Sequence, residues 1–215
     1  MPARRSSKIY HITHLGNLTR IVAAGRLWSD AKRVELGLEC EIVGMSEIKR
    51  RRLEEIEVSC FPGTKVGEYV PFYFCPRSIM LFILHRGNHP DVTYREGQGR
   101  IVHLQADLEM TIRWADEAGV RWAYSDRNAG AFVAEFFTGR DDLGKIDWSA
   151  VAALDFRNPV TKEGKQAEFL TFEAFPWDLV EEVGVMDDRA AEEVRLAVAA
   201  ATHRPRIAVR QTWYF

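Results

Sequence analysis

Residues 166–172 read QAEFLTF, and the fold turns on this stretch. Its alternation and its Phe, Leu and Thr content predict a β-strand. On a strand, Glu168 shares its face with Leu170 and Phe172. A carboxylate on an apolar face has to be paired, hydrogen-bonded or shifted in its proton affinity. Glu168 therefore stands apart from the surface glutamates, either as the partner of a structural arginine or as a group with chemistry to perform.

Upstream, residues 69–74 read YVPFYF between Gly67 and Pro76. They predict a second strand, and Pro71 within it points to an edge or an irregular segment. Phe72, Tyr73 and Phe74, with Arg77 just beyond, suit either a packed core or a sandwich around a planar ring such as nicotinamide or a nucleobase. Further strands are expected at 8–13, 100–104, 122–124, 180–186 and 207–210. Helices are expected at 15–24, 46–57, 78–84, 108–118, 129–137 and 189–201. Gly25 falls where a helix stop wants a left-handed residue. Residues 141–164 form a long polar connection with little regular signal, the kind that is often functional. Strands and helices in this order predict an α+β domain rather than a repeated βαβ wind, with residues 1–215 as one unit.

The 215 residues suffice to bury a sizeable core. The net charge of −2 argues against a nucleic-acid binder. Its distribution argues the other way: residues 1–105 carry 16 Lys and Arg against 11 Asp and Glu, and residues 106–215 carry 13 against 20. A basic half suits a phosphate-binding face, or simply a solvated surface. Cys40, Cys60 and Cys75 are an odd number without a CxxC pair, and the first eight residues are polar and basic with no apolar run behind them. Reduced thiols in a cytoplasm are expected, with residues 1–7 a frayed tail. No run reaches the ~18 apolar residues that a membrane span needs.

Residues 10–14 read YHITH. Two histidines three apart at a strand end suit a metal, a hydrogen-bonded ligand or quiet packing, and a metal would need further ligands. His85 and His89 are separated by Gly87 and followed by Pro90, which breaks a helical HxxxH pair. Lys49 to Arg52 are four consecutive basic residues on an expected helix. Positions i and i+3 share a helix face and i+1 does not, so the four cannot do one job. Phosphate contact and local pairing with Glu54, Glu55 and Glu57 are both open. GxGxxG, Walker A and GxSxG motifs are missing, which removes the defining residues of dinucleotide, kinase-like and hydrolase-elbow folds.

Taken together, these segments resemble the DarT family of DNA ADP-ribosyltransferase toxins. The segments are YHITHLGNL at 10–18, the basic helix at 48–52, YVPFYFCPRSIML at 69–81, EGQGRIVHL at 96–104, YSDRNAGA at 124–131, KQAEFLTFEAFPW at 165–177 and the closing WYF at 213–215. The resemblance implies an ADP-ribosyltransferase fold: a split, strongly bent β core with flanking helices and a cleft for NAD⁺, which is the substrate. No metal is expected. It implies ADP-ribose transfer to a base in single-stranded DNA, thymidine foremost. An antitoxin partner, commonly a macrodomain hydrolase, is implied too, with the enzyme a cytoplasmic monomer free of membrane.

By the same resemblance Glu168 is the catalytic glutamate and Arg52 the cleft arginine. Three consecutive arginines stand where a pair is familiar, which leaves Arg51 as the other candidate for that place. His11, Thr13 and Asn17 would hold NAD⁺ on its ribose or pyrophosphate side, and Tyr73 would flank nicotinamide. Arg51, Arg77, Arg127 and Asn128 would contact DNA, and residues 126–165 would form the substrate-facing region. Competing expectations are transfer to a guanine base, RNA or protein, a non-catalytic single-strand-binding module, and a metal hydrolase built on the six histidines.

Overall fold

The computed structural model describes residues 7–215, so the expected tail is outside the described residues except for Ser7. In chain order the strands are β1 (Lys8–His14), β2 (Arg26–Trp28), β3 (Tyr69–Tyr73), β4 (Ile101–Asp107), β5 (Trp122–Ser125), β6 (Phe136–Phe137), β7 (Glu168–Phe172), β8 (Ala174–Pro176), β9 (Glu182–Val185) and β10 (Arg206–Val209). The helices are α1 (Leu18–Ala24), α2 (Asp30–Glu35), α3 (Ser46–Glu54), α4 (Ile79–Arg86), α5 (Leu108–Ala118), α6 (Trp148–Ala152), α7 (Pro159–Gly164) and α8 (Asp188–Val198).

Local chemistry sets these bounds. Ser78 accepts the Leu81 N–H at 3.2 Å to open α4, and Asp107 accepts the Met110 N–H at 3.0 Å to open α5. Gly25 closes α1 at φ 65°. In α5, Leu108, Ile112 and Ala115 fall on one buried stripe.

The main sheet runs β10-β9-β4-β1-β3-β7-β5-β6. It is two half-sheets: β1 pairs with β4 along all seven of its residues, and β3 pairs with β7 along all five of its own. Between the halves, β1 and β3 share the single pair Tyr10↔Tyr73. Beyond that pair the strands part. Pro71 thus sits inside the sheet order rather than at its edge, but on a margin that carries no ladder. Its carbonyl faces β1 and accepts the His11 Nδ1–H at 2.8 Å. A strand residue's N–H points to the same side as its C=O, so the donor that proline lacks is one the split leaves without a strand partner.

The bend comes at the end of β7. Glu173 has φ 58°, a left-handed turn uncommon outside glycine, and the chain leaves the main sheet there. It continues as β8, which pairs with β2 in a separate two-stranded sheet. One face of the main sheet packs on Ile9, Phe72, Leu104, Phe169 and Phe175, against α5 and α8. On the opposite face, Tyr69, Leu170 and Ala123 pack with Ile56, Val58 and Ala129. At the sheet's far side, the C-terminal Tyr214 hydroxyl donates to the carbonyl of Ile101 at 2.8 Å.

Three expectations need correction. Residues 129–137 do not form a helix. Asn128 Oδ1 accepts the Gly130 N–H at 2.7 Å, which holds the segment in a turn, and Phe136 then pairs with Ser125 as part of β6. The helix expected at 46–57 stops at Glu54, because Ile56 turns into the core and Glu57 bridges to Lys65. Residues 141–164 are not irregular. They hold most of a 3-10 turn (Arg140–Lys145) together with α6 and α7, which Asp147 and Asn158 cap at 2.9 Å each.

His103 on β4 is fully buried, and its Nε2–H donates to the Pro76 carbonyl at 3.0 Å. Burial pushes its pKa down to about 4, against a partial lift from that carbonyl. An unfolded histidine takes up its proton near pH 6.5, and the folded one refuses it until about pH 4. The folded state therefore loses stability as pH falls through that window, by about 3 kcal/mol. Urea unfolding at pH 7 and pH 4.5 should show this loss in the wild type and a smaller one in His103→Gln.

Candidate active site

Strand alternation separates the aromatic trio of β3. Phe72 and Phe74 are buried in the first core, while Tyr73 faces the other way, directly opposite Glu168 on β7. Glu168 is 1 % exposed, at the border of the second core. It meets α3 through Arg52, whose Nη1 and Nη2 donate to Oε1 at 3.1 Å and Oε2 at 2.9 Å. The Ala129 N–H donates to Oε1 at 2.9 Å, and the Glu168 N–H donates to Ser125 Oγ at 3.2 Å. The carboxylate is thus held from three sides by two side-chain donors and one backbone donor.

The four basic residues of α3 go in three directions, as the helix geometry requires. Lys49 and Arg52 share the inner face. Lys49 donates to Asp30 Oδ1 at 3.0 Å, close to the Arg52–Glu168 pair. Arg50 points outward to Glu47, Glu54 and Glu55. Arg51 donates to the Gly130 carbonyl and lies over the Phe132 ring at 4.7 Å. Of the two arginines considered for the cleft, Arg52 is the one that meets Glu168.

Charges and burial tune the neighbours. Burial would lower the affinity of Arg52 for its proton, but Glu168 outweighs it, and the guanidinium is held more firmly charged than usual. Burial raises the Tyr73 phenol, and Glu168 raises it further, so Tyr73 stays neutral. Burial would raise Asp30, yet Lys49, Arg52 and Arg33 together hold it below the usual carboxylate range. His11 is lowered by burial, with the Pro71 carbonyl pulling back. A neutral imidazole whose Nδ1 donates to a carbonyl carries its proton there, which leaves Nε2 as an acceptor.

The other expected residues divide. Asn17 donates to Thr13 Oγ1 at 3.1 Å and to the Glu41 carbonyl at 3.0 Å, and accepts the Glu41 N–H at 2.8 Å. Its amide is therefore committed to holding the loop at Glu41 against β1. His11 and His14 project from opposite faces of β1 and have separate partners, with His14 Nδ1 accepting the Gly16 N–H. Arg127 pairs with Asp126 at 2.9 Å and Glu163 at 3.2 Å, and Asn128 builds its own turn. Arg77 lies over Phe215 at 4.2 Å and is not brought to Glu168. Among the described residues, no group of three or more His, Cys, Asp or Glu could hold a metal ion.

Sequence inspection missed Asp30, Ser125 and the backbone of Ala129. Lys49 carries a usable signal, since it lies one turn before Arg52. Ser125 and Ala129 were hidden by the helix expected at 129–137. Asp30 looks like any acid in a first helical turn, and nothing local marks its tertiary partner.

Residues 10–215 match the family described as ssDNA thymidine ADP-ribosyltransferase, DarT. The chain is 36% identical over 210 residues to a DNA ADP-ribosyl transferase of Thermus sp. (strain 2.9), covering 96% of this chain and 95% of the relative. It superposes on Thermus sp. 2.9 DarT in complex with ADP-ribosylated ssDNA with a TM-score of 0.88 at 34% identity, covering 99% of this chain and 98% of the other. The same enzyme in complex with NAD⁺ gives a TM-score of 0.80 at 33% identity, covering 99% of each chain.

Removing one partner of a buried ion pair strands the other. Arg52→Ala is expected to cost about 3–5 kcal/mol of folding stability at pH 7. The same change in a Glu168→Gln background should cost clearly less. Urea unfolding of the four proteins measures the difference, and strictly additive losses would show that the two residues do not act as a pair.

Proposed function

The chain belongs to the DarT family of ssDNA thymidine ADP-ribosyltransferases, and from that membership we propose how its own residues carry the transfer of ADP-ribose from NAD⁺ to a thymidine base. The observation that carries the proposal is Glu168, a buried carboxylate fixed by Arg52 and the Ala129 N–H.

Breaking the nicotinamide–ribose bond leaves positive charge on the ribose carbon, and a fixed carboxylate beside it stabilises that charge, as in glycoside cleavage. A carboxylate has about four acceptor sites. Three donors already use Glu168, so roughly one site stays open for a ribose hydroxyl. Arg52 aims the carboxylate. A guanidinium has about five N–H donors, so those Arg52 does not spend on Glu168 are free for a phosphate or the base. Thymidine reacts through a ring nitrogen that must lose its proton, and Glu168 is the acceptor at hand. That nitrogen lies on the Watson–Crick edge, which explains the requirement for a single strand.

His11, as a neutral acceptor at Nε2, suits a ribose hydroxyl better than the anionic pyrophosphate. Thr13 Oγ1 accepts from Asn17 and keeps its own hydrogen to donate. Asn17 supports these two from behind. Tyr73, uncharged beside Glu168, flanks the nicotinamide ring. The protein acts as a toxin and is countered by an antitoxin, a macrodomain hydrolase by family precedent. The cytoplasm, where DNA is exposed, is its place of action, and no described helix is long and apolar enough to cross a membrane. One chain supplies every group named, which is consistent with a monomer.

Incubation with NAD⁺ and a thymidine-containing single strand should yield an ADP-ribose adduct by mass spectrometry. A matched duplex and a thymidine-free strand should stay unmodified. Glu168→Gln keeps the shape and should slow transfer by at least ~100-fold. Wild-type rates in that variant would remove Glu168 from the mechanism.

A further inference from the structure

The turn that follows β5 is tied down at every point except its tip. The Ala129 N–H is on Glu168 Oε1, and the Gly130 carbonyl accepts from Arg51. Gly130 lies so close to α3 that a Cβ there would stand 2.9 Å from Ile48 Cγ2. The Ala134 N–H donates to the Ala131 carbonyl at 3.1 Å, and the Glu135 N–H to Asp126 Oδ1 at 3.0 Å. A rigid turn of this kind normally shows polar side chains to water. This one shows Phe132 and Val133, exposed by 71% and 69%. The backbone that carries the ring is tied by short connections to the carboxylate of the site, and the Arg51 guanidinium lies over one face of the ring.

We propose that the Phe132 face turned away from Arg51 is a stacking platform for an unpaired base next to the reacting thymidine, with the Arg51 guanidinium on the ring's other face adding positive charge near the strand. The proposal rests on the single-strand reading of the site and adds a residue to it. Three observations select this occupant over a protein partner. The turn that carries Phe132 itself donates to Glu168, so a base held at Glu168 has this turn beside it. An exposed aromatic ring offers any base a face to stack on. The cation next to the ring matches the charge of the strand's backbone. Strand recognition at this position would then be tolerant of base identity but intolerant of a missing base. Arg127 and Asn128, which are engaged in holding the turn, act as positioning residues for Phe132.

The experiment uses the full chain, NAD⁺ and a single-stranded oligonucleotide with one thymidine. Two further oligonucleotides carry an abasic site immediately 5′ or 3′ of it. Phe132→Ala should raise KM for the intact strand about 10-fold or more, as alanine substitution at base-stacking aromatics does, with far less change in kcat. Phe132→Tyr should restore the wild-type KM, and Phe132→Leu should not. One of the abasic strands should weaken the wild type and leave Phe132→Ala no worse than it already is. The ring is exposed, so thermal unfolding should be unchanged in all three variants. Equal losses on the abasic strands in wild type and Phe132→Ala would overturn the proposal, as would recovery by Phe132→Leu, which would mark the face as merely apolar and suited to a protein. If the wild type modifies none of the strands, the single-strand reading itself fails and the platform falls with it.

Discussion

The Arg52–Glu168 contact joins α3 to β7, and much of the rest of the site follows from it. A carboxylate taken this far from water is costly unless its charge is met nearby. Meeting it fixes the position of a helix, of the turn that brings the Ala129 N–H, and of the strand carrying Tyr73. The same bonds that offset the burial also orient the carboxylate. An ion pair of this sort contributes more to arrangement than to net stability, because hydrophobic replacements often fold as well.

The split between β1 and β3 is the second constraint. Where the ladder is missing, the Pro71 carbonyl takes the His11 side chain as its donor. Proline is suited to the margin because it has no N–H to leave unmet. Pro71 is thus compatible with the opening in the sheet, since no ladder bond is asked of it there. Glu173, at the other end of β7, turns the chain into the small sheet by accepting a backbone conformation that most side chains avoid.

The sequence was legible where a residue's job is decided by its immediate neighbours. QAEFLTF, the Gly25 stop, the 108–118 helix and the isolation of Glu168 on an apolar face all follow from periodicity and local sterics. The family resemblance adds an arginine partner for Glu168 but does not choose between Arg51 and Arg52. The choice depends on the rotation of α3 about its axis, which is set by tertiary packing. The apolar content of residues 129–137 looks helical, and the bonds that tie this turn to the site, unlike the local ones that shape it, run to Glu168 and Arg51, far away in sequence. Asn128, followed by Ala129 and Gly130, was the overlooked local sign. The 141–164 segment was misread for a simpler reason: α6 and α7 are each under two turns long, too short for periodicity to register, although Asp147 and the Asn158–Pro159 pair announce their starts.

Arg52 and Glu168 stand 116 positions apart. During synthesis the arginine leaves the ribosome many seconds before the glutamate, at ordinary rates of translation. In the interval β3 waits without its neighbour, since β7 inserts between β3 and β5 in the finished sheet. Until β7 is made, the Arg52 guanidinium has no Glu168 to pair with. A fragment that ends before residue 168 carries the cation without the carboxylate, and its β3 keeps only β1 as a sheet neighbour.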